Sequence, residues 1–281
     1  MPTLADVVAL LDEWYPPATA DTWDAVGLVG GDPADEVRRV LFAVDPAPVV
    51  AQEAADWGAD LLVVHHPLFL KGVHGVAATT PKGRTFTTLT RAGCALFTAH
   101  TNADQAVDGV SQAMADVLGL ADQRPLVPAA GTDGPAGSGE TGTGRIGRVA
   151  PTTLREFAAS VAAALPATAH GVRVAGDPER PVTTVALCGG AGDFLLDQLA
   201  SSDADVYVTS DLRHHPAAEF LEKDGPALVD VAHWAAEWTW LQVVAARLEA
   251  ALEEAAPDRG PGNRVETRVS TTVTDPWTFR A

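Results

Sequence analysis

The sequence contains few cysteines, few basic residues and no long apolar segment, and each shortage excludes a class of protein. Its two cysteines, Cys94 and Cys188, both lie within apolar segments. Two thiols are too few for a disulfide framework or a thiolate metal site, so we expect both to be free and buried. No apolar run approaches the roughly 18 to 20 residues that are needed to cross a bilayer. We therefore expect a soluble protein that does not interact with membranes.

Basic residues are outnumbered by acidic ones. Lysine and arginine total 19 against 37 aspartates and glutamates, which gives a formal net charge of −18. A field of this sign repels phosphate backbones, so we do not expect the protein to bind nucleic acid. A smaller anionic ligand would need local positive charge, which bound metal ions can supply. Residues 1–13 lack the basic and apolar regions of a secretory signal, and we predict a cytoplasmic protein.

The first 120 residues alternate between strand-like and helix-like segments. Strands are predicted at residues 40–44, 60–64 and 94–99, and helices at residues 4–14, 46–57, 84–92 and 109–118. Asp45 is expected to cap the second of these helices. Strands and helices that alternate in this way form parallel sheets with crossover connections. The N-terminal part is therefore predicted to be an α/β domain.

The second half repeats this pattern after an unusual segment. Residues 127–143 consist mainly of Ala, Gly, Thr, Ser and Pro, which bury too little apolar surface to order a chain, so we predict a flexible linker or a surface insertion. Strands are then predicted at residues 182–187, 206–209 and 227–231, a long helix at 234–256 and a last strand at 264–274. The sequence thus predicts two α/β domains with mixed or parallel sheets flanked by helices.

Metal-ligating residue types follow three of the predicted strands. His65 and His66 follow the strand at 60–64, Asp104 follows the strand at 94–99, and His233 follows the strand at 227–231. Glu237 lies one helical turn after His233, on the same helix face. The carboxyl ends of parallel strands meet at one edge of a sheet, where ligands collect. Imidazoles and carboxylates together suit zinc, manganese, iron or cobalt, and five such side chains fit two ions roughly 3.5 to 4 Å apart.

Each of these features also has an ordinary structural interpretation. Adjacent histidines at a strand end serve as half-buried hydrogen-bonding residues. An aspartate in a turn often caps a helix, and a histidine and a glutamate four residues apart often form a solvated pair. Their joint placement at three strand ends favours the metal interpretation. We also expect the strand at 227–231 to join the N-terminal sheet, because metal ligands need a common rigid support.

This expectation gives a domain assignment. A metal-site domain comprises residues 1–126 together with 227–281, residues 127–143 form the linker, and residues 144–226 form a second α/β domain. The glycine-rich segment at residues 189–192 could cradle a phosphate, but it lacks a complete dinucleotide or phosphate-loop motif. Packing in a tight turn is the interpretation that we favour for these glycines.

Six motifs in order resemble the Nif-three-like dinuclear metal-centre family, whose members are often named GTP cyclohydrolase I type 2 homologues. They are Asp-Thr-Trp-Asp-Ala-Val-Gly-Leu at 21–28, Leu-Val-Val-His-His-Pro-Leu-Phe at 62–69, His-Thr-Asn-Ala-Asp at 100–104, Cys-Gly-Gly at 188–190, Asp-Val-Tyr-Val-Thr-Ser-Asp at 205–211 with His214 and His215, and Val-Asp-Val-Ala-His at 229–233 with Glu237. Two residues depart from the family pattern, since Ala25 stands where Asn is usual and Ser210 where Gly is usual. The resemblance covers nearly the whole chain.

The resemblance implies a metal site, an assembly and an activity. It carries the metal-ligand role over to His65, His66, Asp104, His233 and Glu237. It also implies two divalent ions per chain and a toroidal homohexamer built as a trimer of dimers. It places His214 and His215 near the metal pocket. Their role there is either proton transfer or that of an ordinary surface pair. The implied activity is a metal-dependent hydrolase in which activated water attacks a nucleotide such as GTP. The alternative is a non-catalytic metal-handling or regulatory protein.

Overall fold

A computed structural model of the chain describes residues 1–129, 140–255 and 264–281. It is a mixed α/β structure with two sheets flanked by helices, as the sequence predicts. The chain divides into two compact units. The first comprises Met1–Ala103 and Leu241–Thr274, and the second comprises Asp104–Trp240 and Asp275–Ala281.

The elements of the described residues are as follows in chain order. The helices are α1 (Leu4–Trp14), α2 (Pro48–Trp57), α3 (Pro81–Ala92), α4 (Thr101–Gln105), α5 (Val110–Val117), α6 (Leu154–Ala164), α7 (Leu196–Leu199), α8 (His214–Leu221) and α9 (His233–Glu254). The strands are β1 (Gly27–Gly30), β2 (Arg39–Ala43), β3 (Leu61–Val64), β4 (Ala95–Thr98), β5 (Ala121–Pro128), β6 (Gly142–Thr153), β7 (Val172–Ala175), β8 (Pro181–Ala191), β9 (Val206–Ser210), β10 (Ala227–Val231) and β11 (Glu266–Val269). Short 3₁₀ turns occupy Pro17–Thr19 and Asp193–Leu195.

The first unit contains a five-stranded sheet in the order β1-β4-β3-β2-β11. Strands β2, β3, β4 and β11 lie where strands were predicted and run parallel to one another, whereas β1, which was not predicted, pairs antiparallel to β4. Leu61 pairs with Ala95 and Val64 pairs with Thr98, so β3 and β4 end at the same level. This register brings the residues that follow the two strands to one edge of the sheet.

Local sequence signals fix the helices around this sheet. Thr3 and Asp6 form a capping box at the start of α1. Gly58 and Gly93 end α2 and α3 in the left-handed conformation, with φ of 71° and 69°. Helix α2, however, begins at Pro48 with Ala47 as its N-cap. The expectation that Asp45 caps this helix was therefore wrong.

The second unit contains a six-stranded sheet in the order β5-β6-β8-β9-β10-β7. Strands β8, β9 and β10 are parallel to one another, and β5, β6 and β7 pair antiparallel to their neighbours. Strand β10 is fully buried. It has a neighbouring strand on each edge, since Val229 pairs with Val208 of β9 and with Val174 of β7.

The placement of β10 corrects a sequence-based expectation. We expected the strand at 227–231 to join the N-terminal sheet, and this was wrong. The order β9, α8, β10 along the chain forms a βαβ unit, which favours adjacent parallel strands, and that local connection determines the sheet. The proposed domain of residues 1–126 with 227–281 therefore does not coincide with either compact unit.

The second unit also contains strands that the sequence did not indicate. Strands β5, β6 and β7 were not predicted, and β8 extends through Gly189 and Gly190. Both ends of the predicted linker 127–143 belong to paired strands, since Pro128 pairs with Gly142. The middle of that segment, residues 130–139, lies outside the described residues. Within the described ranges, no helix is both long and apolar enough to cross a membrane.

Candidate metal centre

Three histidines of the first unit converge at the carboxyl edge of its sheet. His65 and His66 follow β3 and His100 follows β4, the two strands that end in register. The centroid of the His65 ring lies 5.0 Å from those of both His66 and His100. One ligand atom from each ring lies within 4.8 Å of those of the others. This spacing is compatible with imidazoles that share a metal site.

The ring of His65 is oriented by the main chain. His65 is fully buried, and its Nδ1 lies 2.9 Å from the carbonyl oxygen of Ala99. A carbonyl can only accept, so geometry assigns the proton to Nδ1 and the lone pair to Nε2. Nε2 is therefore the atom of His65 that can bind a metal ion.

The ring of His66 is oriented by a carboxylate. Its Nδ1 lies 2.7 Å from Oδ1 of Asp45, and the hydroxyl of Thr274 donates to Oδ2 of the same carboxylate. This contact explains why Asp45 does not cap a helix: its side chain is engaged by His66. A histidine whose Nδ1–H donates to a carboxylate presents Nε2 to a metal ion in many metalloproteins.

His100 has the same arrangement. Its Nδ1 lies 2.9 Å from Oδ1 of Asp24, whose side chain is completely buried, while Thr101 donates its backbone N–H and its hydroxyl to Oδ2. Burial by itself would raise the pKa of Asp24, but the hydrogen bonds from Thr101 and His100 outweigh it and lower that pKa.

The protonation of His100 suits a ligand role. Burial and the neighbouring His65 lower the pKa of His100 to about 4, although Asp24 opposes the shift. The imidazole is therefore neutral at pH 7, and a neutral imidazole is the form that binds metal ions.

In the second unit, His233 and Glu237 form a pair at the start of α9. Nε2 of His233 lies 2.7 Å from Oε1 of Glu237, and Nδ1 lies 2.7 Å from Oδ2 of Asp211. The hydrogen bond from His233 lowers the pKa of Asp211. Asp211 adopts a left-handed φ of 59°, a conformation that aspartate tolerates better than most residues. Glu237 is 2% exposed, so its carboxylate is removed from solvent.

The backbone of β8 packs directly against this pair. Gly190 has a φ of 72°, and a Cβ atom there would lie 2.5 Å from Oε1 of Glu237 and 3.3 Å from Nε2 of His233. The amides of Gly189 and Gly192 already donate to the hydroxyls of Ser111 and Thr209. These two amides are thus engaged within the protein, which favours packing over a phosphate cradle.

The remaining predicted site residues also lie in the second unit. Asp104 lies in α4 and is partly buried. His214 and His215 occupy the first turn of α8, where both are exposed and their rings lie 5.0 Å apart in an edge-to-face arrangement. The catalytic role of His214 and His215 stays a prediction.

Sequence reasoning missed four residues of the site: His100, Asp24, Asp45 and Asp211. Three of them carried a usable signal. His100 follows β4 as His65 follows β3, Asp45 follows β2 within two residues, and Asp211 directly follows β9. The rule that ligands collect at the carboxyl edge of a sheet applies to them equally. Asp24 reaches His100 across 76 residues, which no local pattern reveals.

Each unit, taken by itself, offers donors that are chemically suited to a transition-metal ion. The first unit has three clustered imidazoles, and the second has an imidazole with a buried carboxylate. Nitrogen and carboxylate ligands of this kind bind zinc, manganese, iron or cobalt in proteins. The chain is thus a two-sheet α/β protein with candidate metal ligands in both units.

The chain belongs to the Duf34/NIF3 (NGG1p interacting factor 3) family, whose model matches residues 2–276. A Streptomyces coelicolor protein named GTP cyclohydrolase 1 type 2 homolog is 50% identical over 279 residues, which is 99% of this chain and 94% of that protein. A Mycobacterium tuberculosis protein of the same name is 37% identical, over 98% of this chain and 96% of its own length. The family resemblance of the sequence motifs is thereby confirmed.

Solved structures with the same fold support this assignment. A hypothetical protein of Staphylococcus aureus, 28% identical, superposes with a TM-score of 0.86 and covers 99% of both chains. A Bacillus cereus protein described as related to NIF3, 24% identical, superposes with a TM-score of 0.87 over 99% of both chains. These similarities concern the fold.

Proposed function

We propose that the chain binds two divalent metal ions and acts as a metal-dependent hydrolase of a nucleotide-like substrate. The proposed ligands are His65 and His66 of the first unit and Asp104, His233 and Glu237 of the second. His100 joins them as a further candidate because it lies within the histidine cluster of the first unit. Zinc, manganese, iron and cobalt all suit this set of nitrogen and oxygen donors.

A single observation carries the proposal: an oxygen acceptor holds Nδ1 of each candidate histidine. The acceptor is the Ala99 carbonyl for His65 and a carboxylate for His66, His100 and His233. This arrangement fixes the direction of each ring and, for His65, His66 and His100, the tautomer, and it recurs in the outer shell of metal sites. Histidines that merely fill a core have no need of an oxygen acceptor at the same ring nitrogen.

When bound, the ions would supply a Lewis acid and lower the pKa of water at the site. The protein would hold the ring orientations through Ala99, Asp24, Asp45 and Asp211, and keep His100 neutral. We assign proton transfer to and from the substrate to His214 or His215, whose imidazoles are exposed at the start of α8.

The proposed substrate is a purine nucleotide such as GTP. The proposal rests on the name of the curated relatives and on electrostatics. The formal charge of −18 repels phosphates, and a pair of divalent ions provides the local positive charge that an anionic ligand requires.

A second candidate function is non-catalytic. The family description names an interacting factor, and we therefore also propose metal handling or regulation through partner binding as the alternative. In both cases we propose a cytoplasmic homohexamer, built as a trimer of dimers, on the basis of the family resemblance. Light scattering of the purified protein tests the assembly, and a dimer or monomer would contradict it.

The test of the metal proposal is elemental analysis of Glu237→Gln beside Glu254→Gln. Both substitutions lie on α9, but Glu237 is buried beside His233 whereas Glu254 is exposed at the end of the helix. We expect the first to reduce bound metal at unchanged circular dichroism and the second to leave two ions per chain. Retention of two ions in Glu237→Gln would refute the ligand assignment. Metal-dependent turnover of GTP that is lost in Glu237→Gln would favour the enzyme, and full metal content without turnover would favour the alternative.

A further inference from the structure

A large aromatic side chain lies at the rim of the histidine cluster and is exposed to solvent. Trp23 is 56% exposed, and its ring centroid lies 5.8 Å from that of His100 at an interplanar angle of 81°. His100 in turn lies 5.0 Å from His65 and 5.5 Å from His66, measured between ring centroids. The indole therefore contacts one candidate ligand, His100, directly and lies one residue away from the other two histidines of the cluster.

The turn that carries Trp23 is held rigidly. The backbone N–H of Asp24 donates to the carbonyl of Asp21, and the N–H of Asp21 donates to the Thr101 hydroxyl. That hydroxyl donates in turn to the buried carboxylate of Asp24. Asp24 therefore fixes both the backbone beside Trp23 and the ring of His100, so the indole and the candidate ligand are positioned together.

We propose that Trp23 is a substrate-positioning residue whose indole stacks on a planar aromatic ring, such as a nucleobase, of a ligand bound at the metal centre. An exposed indole on a preorganised turn loses little conformational entropy when it stacks, and it gains contact area on a flat ring. The edge-to-face contact with His100 occupies the indole only in part, since more than half of the residue remains exposed. The inference rests on the proposed function, because it takes the metal centre as the place where the rest of the ligand binds.

The experiment compares Trp23→Ala and Trp23→Phe with the wild type, each as the full metal-loaded chain. Titration with guanosine 5′-monophosphate measures binding, and titration with ribose 5-phosphate measures the contribution that does not involve the base. Trp277→Ala is the matched control, since Trp277 is 65% exposed in the C-terminal segment of the second unit. Metal content and light scattering are measured for every variant.

We expect Trp23→Ala to weaken binding of the nucleotide by about 5- to 150-fold, the range of base stacking on aromatic side chains. Binding of ribose 5-phosphate and metal content should stay unchanged, and Trp23→Phe should retain most of the affinity. Trp277→Ala should behave as the wild type.

Three outcomes would overturn the inference. In the first, metal-loaded Trp23→Ala binds the nucleotide as tightly as the wild type. In the second, the metal-loaded wild type does not prefer the nucleotide to ribose 5-phosphate. In the third, Trp23→Ala changes the oligomeric state, which would make Trp23 a subunit contact. Failure of the metal proposal is detected by a separate measurement, since it would appear as full metal content in Glu237→Gln.

Discussion

Replacement of Gly190 by alanine tests the packing of the candidate centre in the second unit. Gly190 has a φ of 72°, and the position that a Cβ atom would take there is next to the side chains of Glu237 and His233. Gly93 is a matched control, because its φ of 69° is nearly the same and nothing lies within 4 Å of the position of its Cβ. The two substitutions share the backbone cost, and only one of them intrudes on the proposed ligands.

The structure gives the magnitude of both effects. An alanine in the left-handed region costs roughly 1–2 kcal/mol at either position. At Gly190 the new methyl group would also lie 2.5 Å from Oε1 of Glu237, well inside van der Waals contact. Such overpacking typically costs a further ~1–3 kcal/mol. The Glu237 carboxylate can move away only by giving up its 2.7 Å contact with Nε2 of His233.

Differential scanning calorimetry and elemental analysis of the two variants provide the measurement. We expect Gly190→Ala to melt below Gly93→Ala and to lose bound metal, whereas Gly93→Ala should keep the metal content of the wild type. The reasoning is refuted if Gly190→Ala retains all its metal and is destabilised no more than Gly93→Ala. That result would mean that Glu237 and His233 can rearrange freely, so that their geometry does not define a site.

Two further predictions concern buried groups. Arg145 is 2% exposed and donates to the Ala106 carbonyl and to other main-chain oxygens. Arg145→Met should lower the free energy of unfolding by about 2–4 kcal/mol, because it abolishes these charge-assisted hydrogen bonds and leaves buried carbonyl oxygens without a donor. Urea denaturation checks it, and a loss below about 0.5 kcal/mol would contradict it. Burial raises the pKa of Cys94 and of Cys188 to about 12. Iodoacetamide at pH 8 should leave both thiols unmodified in the native protein and alkylate both in guanidinium, and native alkylation within tenfold of the rate of free cysteine would be inconsistent with their burial.

The central strands of the first sheet were predictable because local signals agree. The apolar run before His65 was predicted at residues 60–64 and forms β3 at Leu61–Val64, fully buried. It is bounded by Gly58, whose left-handed conformation ends α2. Apolar runs bounded by a helix-ending glycine and by polar residues specify strands without reference to distant residues.

Sheet membership was less predictable because it depends on distant pairing. The sequence indicated β10 as a strand, but nothing within it shows that Val229 pairs with Val174, 55 positions earlier by residue number. Strand β7 is only four residues long and none of its residues is fully buried, so its sequence gives little signal of a strand. The expectation that β10 joins the first sheet assumed that the metal ligands share one support. The connection through α8 instead favours pairing of β10 with β9.

Asp45 shows how a tertiary contact overrides a local rule. An aspartate directly before a proline is a typical start of a helix, and the sequence supported that interpretation. In the structure its two carboxylate oxygens engage His66 and Thr274, which is 229 residues away. The side chain is thus engaged in tertiary contacts instead of a cap, and the helix begins at Pro48. Departures of this kind are expected at sites where function takes precedence over local preference.

The orientation of the histidines is a property of each unit by itself. In the first unit, Ala99, Asp45 and Asp24 hold the three rings, and in the second unit Asp211 holds His233. Each acceptor belongs to the same unit as its histidine. The direction of every ring, and the tautomer of the three rings in the first unit, are thus fixed by contacts that do not require the other unit. Because side chains held in this way lose little freedom when they bind an ion, the affinity of the proposed centre should depend on these acceptors as well as on the ligands.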